Sequence, residues 1–110
     1  MADILCIVEN VTRGAVPAAD GANQIADILP LLRRSRSAAD RQNYTRAAAA
    51  YRLCDSLAQV DKDCDAGWSD VLSNLRQVAI VYGRRIKVDG DLAGRVGAAQ
   101  RSFGLTMDDS

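Results

Sequence analysis

The 110-residue chain contains no histidine. That removes the commonest general base, every Ser-His or Cys-His nucleophile arrangement, and imidazole ligation of metals. Glutamate is almost as scarce, with Glu9 the only one, so a paired-carboxylate site of the glycosidase type would have to be built from aspartates. Most aspartates fall near predicted helix ends or in loops, where capping and the helix dipole account for them. A P-loop is missing, and Gly90, Gly94 and Gly97 match only fragments of a dinucleotide fingerprint with no βαβ unit around them. No apolar run approaches the ~20 residues of a membrane span. The short run at 4–8 has no basic residues before it and does not read as a secretory signal. Cys6, Cys54 and Cys64 are an odd number without paired spacing, so the expected compartment is reducing and cytoplasm-like, or the interior of an assembled particle, with the thiols serving as small core residues.

What is present bounds the architecture. At 48% apolar content the chain can bury one core, and a second independent domain would be too small, so one helical domain over 1–110 is expected, with a frayed tail at about 105–110. Fourteen basic residues balance fourteen acidic ones, which leaves no overall field to attract a polyanion or an acidic membrane. A charged partner must be met by a local patch. The excess of Arg over Lys and of Asp over Glu, with many alanines, is the signature of a GC-rich coding sequence rather than of a function.

Hydrophobic periodicity predicts an all-α fold, a compact bundle of about five helices. In 2–13, Ile4, Leu5, Ile7, Val8 and Val11 share one face, and Gly14 offers a left-handed stop. The stretch 14–21, with Pro17 and two glycines, reads as a loop that ends in an N-cap at Asp20. A second helix from there carries Ile25, Ala26, Ile28, Leu29 and Leu32, and should kink or restart at Pro30. From Ser37 to about Val60 runs the strongest helix, with one stripe at Tyr44, Ala47, Ala48, Tyr51, Cys54 and Ala58 and a second at Ala50, Leu53, Leu57 and Val60. Two stripes imply more than one neighbour. A fourth helix is predicted over 68–86, starting at Trp68 and reaching Ile86, and a fifth over 91–103, with Leu92, Val96, Ala99 and Phe103 on one face.

The competing fold is α+β. Residues 78–82 and 85–89 are β-branched runs separated by Gly83 and Arg84, which suits a hairpin at 78–89 with a type II′ turn, and 4–8 would add a third strand. The unbroken helical face from Trp68 to Ile86 favours the helix.

Three motifs carry candidate chemistry. Asp61, Asp63 and Asp65 copy the first ligands of a calcium loop, but Ala66 stands where the turn needs glycine and Leu72 where a bidentate glutamate belongs, so no metal or other cofactor is expected. Gly90, Gly94 and Ala98, and likewise Ala93 and Gly97, recur every fourth residue and predict close helix packing on the last helix. Two basic clusters, Arg33, Arg34, Arg36 and Arg41, then Arg84, Arg85 and Lys87, suit phosphate, although each begins near a predicted helix C-terminus where positive charge is locally favourable.

The expected function is therefore a surface rather than a reaction. The leading expectation is a non-enzymatic protein–protein interaction or assembly protein, such as a phage-particle subunit or a small protein inhibitor, with a protein partner or self-association through Tyr44, Tyr51, Trp68, Tyr82, Gly94 and Gly97. The first alternative is a small DNA- or RNA-binding regulator using the arginine clusters. The second is an aspartate-dependent metal enzyme.

Overall fold

The computed structural model describes residues 4–62 and 67–103, and among these there are five helices, α1 (Ile4–Thr12), α2 (Ala18–Arg34), α3 (Ala38–Lys62), α4 (Trp68–Tyr82) and α5 (Gly90–Phe103). The tail at 105–110 and Asp63 and Asp65 of the calcium-like loop lie outside the described residues. The α-helical expectation holds, and no strand occurs among the described residues, so the hairpin at 78–89 and the strand at 4–8 are both overturned.

The boundaries follow from glycine placement. Helix α1 buries Ile7, Val8 and Val11, and Gly14 closes it with φ +83°, its N–H donating to the Val11 carbonyl at 3.1 Å while Ala15 N–H donates to Asn10 at 2.9 Å. Gly83 does the same for α4 at φ +65°. Its N–H donates to Ile80 and that of Arg84 to Ala79, each at 3.1 Å, the paired bonds of a Schellman stop. The turn residue that made a hairpin attractive is thus a helix terminator, and α4 ends at Tyr82 rather than at Ile86.

Helix α2 departs from expectation at its start and is continuous at Pro30. It begins at Ala18 behind Pro17, so Asp20 is not the cap but lies in the first turn, where its negative charge interacts favourably with the helix dipole. Nor does the helix restart at Pro30. It runs on for one more turn to Arg34, because that turn is anchored by Leu32, which is buried, and closed by Ser35 N–H donating to the Leu32 carbonyl at 3.3 Å. Ser35 Oγ then accepts from the Ser37 N–H at 3.2 Å as the chain reverses into α3.

Helix α3 is the centre of the molecule, packed by α1, α2 and α4. These neighbours bury the second stripe, Ala50, Leu53, Leu57 and Val60, with Ala47 and Cys54 of the first, while Tyr44, Ala48, Tyr51 and Ala58 stay half-buried. Helices α3 and α4 run antiparallel. Arg46 Nε donates to the Val81 carbonyl at 3.3 Å near one end, Asn74 Nδ2 donates to Ser56 Oγ and the Arg52 carbonyl at 3.2 Å in the middle, and Gly67 lies against Val60 at the other end. Among the described glycines the tightest packing sits at Gly21 of α2, where a β-carbon would stand 2.6 Å from Val11 Cγ2 and 3.4 Å from Cys54 Sγ.

After Gly83 the chain doubles back in extended form over 85–89. Side chains alternate as an extended backbone requires: Ile86 and Val88 are half-buried against the core, whereas Arg85 and Lys87 are exposed. Asp89 N–H donates to the Thr12 carbonyl at 3.1 Å, tying this segment to the end of α1 and starting α5 there. Helix α5 then packs on α4 and buries Val96 and Ala99.

Candidate interaction surface

The aromatic candidates do not converge. Tyr44, Tyr51, Trp68 and Tyr82 are each half-buried against the core, on three different stretches of α3 and α4. Tyr82 lies near the end where α2 meets α3, with the Arg46 guanidinium 5.7 Å from its ring centre. Trp68 opens α4 at the far end, and Arg95 of α5 stands 5.2 Å from its ring centre. Tyr82 and Trp68 pack against the core of this chain with cations laid over them.

The small-residue face behaves differently from expectation. A β-carbon at Gly94 would meet nothing within 4 Å, and one at Gly97 only Arg101 Nη1, on its own helix, at 3.6 Å. Neither glycine is pressed by another helix of this chain; Gly21, with Val11, Cys54 and Ile7 side chains against it, is. A helix of fourteen residues can bury one face against one neighbour, and α5 uses Val96 and Ala99 for that.

Beside that face lies a groove of about 560 Å³. Leu75 and Ala79 of α4 form one wall, the extended segment with Ile86 and Val88 another, and Val96 and Gly97 of α5 the third. Arg85 and Lys87 stand at its lip, and among the described residues no acidic side chain lines it. Lys87 Nζ is 4.0 Å from Asp89, but its side chain is 85% exposed, so this pair is worth little. The signal for the groove was present in sequence as the alternation of Arg85, Ile86, Lys87 and Val88, which does not fit a helix.

The arginine clusters are brought to one region. Antiparallel pairing of α2 with α3, and of α3 with α4, puts Arg33, Arg34, Arg36 and Arg41 at the same end of the bundle as Arg84, and all of these are exposed. Arg85 and Lys87 lead away from that end along the extended segment. Asp40, half-buried in the first turn of α3, is the acid placed among them. Leu31 and Ile80, 66% and 62% exposed, lie on the last turns of α2 and α4 at the same end.

Among the described residues no group of three Cys, Asp or Glu side chains is placed to hold a metal ion. Cys54 is fully buried, and desolvation pushes its thiol from 9.0 up to about 12. It is therefore an inert core group. Because the native state keeps the proton that the unfolded state releases, its contribution to stability is intact below about pH 9 and erodes as pH rises from there toward about 12. Peptide mapping after alkylation of the native protein at pH 8 should find exposed Cys6 modified and Cys54 untouched until denaturant is added. Equal labelling of both would contradict this core.

Compared with family models, curated proteins and solved structures, the chain matches none. No helix among the described residues is long and apolar enough to cross a membrane.

Proposed function

We propose that this chain is a non-enzymatic protein–protein interaction or assembly module. The observation that supports it best is the apolar groove left open between α4, the 84–89 segment and α5, with the bare glycines of α5 beside it. The second stripe on α3 is used within the chain, whereas Tyr44, Ala48, Tyr51 and Ala58 of the first are only half-buried. A concave groove with an apolar floor is the kind of surface in which an amphipathic partner segment docks. Size-exclusion chromatography with light scattering, on material purified from its native host, should give a mass above the 11.8 kDa of the chain, as self-assembly or with a co-eluting protein. A partnerless monomer would sink the proposal.

A second reading, nucleic-acid binding, draws on the gathering of Arg33, Arg34, Arg36, Arg41 and Arg84 at one end of the bundle. It predicts binding to a DNA or RNA duplex that weakens steeply with salt and falls when Arg33 and Arg34 become Ala. Salt-insensitive behaviour would count against it.

A further inference from the structure

Resting on the interaction-module reading, we infer that the groove between α4, the 84–89 segment and α5 is the docking site for an acidic amphipathic helix of a partner protein. The trough is apolar at its base, where Leu75 and Val96 are buried, and along its side, where Ile86 and Val88 are half-buried. One lip is positive. Arg85 and Lys87 stand on the extended segment, and exposed Arg101 on α5 reaches back so that Nη1 lies beside Gly97.

An apolar trough with Arg85 and Lys87 on one lip, and with no acid in its lining among the described residues, complements a helix whose apolar stripe is bordered by Glu or Asp. The short side chains of Ala79 and Ala93 and the absence of one at Gly97 leave room for such a helix to seat closely. A nucleic-acid backbone is the poorer fit to this groove, since phosphate contacts gain nothing from an apolar floor beside the cations. That preference concerns the groove and leaves the arginine-rich end of the bundle aside.

Fluorescence anisotropy on the full chain tests the assignment, using a labelled synthetic helix with a leucine stripe flanked by glutamates, its glutamate-to-lysine counterpart, and a labelled DNA duplex. The acidic peptide should bind and the lysine counterpart at least about tenfold more weakly, with an affinity that declines as salt rises. Gly97→Leu should weaken the acidic peptide by about tenfold or more, because it fills the trough. This variant keeps the fold, as a β-carbon there meets only the Arg101 terminus and leucine is the better helix former. Lys87→Glu should weaken it several-fold.

Absence of acidic-peptide binding, equal binding by Gly97→Leu, or indifference to peptide charge overturns the assignment. So does DNA binding that Gly97→Leu abolishes, or self-association that occupies the groove and excludes the peptide. If native-host material is still assembled while the acidic peptide does not bind, the groove assignment falls and the interaction-module reading stands. If the chain is a partnerless monomer, both fall.

Discussion

Leu53→Ala is expected to lower the unfolding free energy by ~2–5 kcal/mol, the range for deleting a buried leucine side chain when the site collapses only partly. Leu53 is 0% exposed and lies in the second stripe of α3, the helix on which α1, α2 and α4 all pack. Collapse around it would require several helices to move at once, which places the loss in the upper part of that range. Set against a total stability of ~5–15 kcal/mol for a domain of this kind, the change removes a large share. The melting midpoint should fall by roughly 10 °C or more. Leu31→Ala is the matched control. At 66% exposure it should change stability by less than about 0.5 kcal/mol. Urea melts of the two variants check both values, and similar losses would mean that α3 is not the centre of the core.

Gly21→Ala should destabilise the protein by about 1–2 kcal/mol, against the usual gain for replacing a helical glycine. Helix propensity alone favours alanine by about 1 kcal/mol. The new methyl group would stand 2.6 Å from Val11 Cγ2, closer than van der Waals contact allows. Val11 is buried and β-branched, so its side chain cannot swing away without leaving its preferred rotamer. Overpacking of this kind costs ~1–3 kcal/mol, and here it exceeds the propensity gain.

Gly94→Ala isolates the propensity effect, since nothing lies within 4 Å of its added carbon. It should stabilise the protein by about 0.5–1 kcal/mol. Adding Val11→Ala to Gly21→Ala should recover part of the loss, giving a non-additive cycle. Equal responses at Gly21 and Gly94 would show that α1 does not press on α2 at this point.

These two glycines also mark where the sequence was legible. Local signals carried the helices. The 3.6-residue periodicity predicts α1 and α3 to within two residues of their ends, and Gly14, the predicted stop, takes φ +83°. The double stripe of α3 correctly implied several neighbours. Close approach was not legible, because it depends on which helix lies opposite. Small residues repeat on α5, yet Gly94 faces open space, while Gly21, placed by its sequence neighbours in a loop, is where Val11 of α1 presses in.

The same limit applies to the surface. Arg33 and Arg84 are far apart in sequence, and only the antiparallel pairing of α3 with its two neighbours puts them at one end. The 85–89 run was divided between helix and strand, and each reading caught half of it. The alternation is that of extended backbone, but no strand among the described residues pairs with it, and Ile86 and Val88 are turned to the core beside α4 and α5. Periodicity reports which side chains are buried; it does not say whether another strand or a helix covers them.

Amide hydrogen exchange, compared between the isolated chain and the assembled material from its native host, tests the central claim most directly. Assembly should slow exchange in the second half of α4, in the 84–89 segment and in α5, where the open groove lies, and leave the α2–α3 connection unchanged. Protection confined to the arginine-rich α2–α3 end, or no difference between the two samples, would contradict a partner-binding surface at the α5 edge of the bundle.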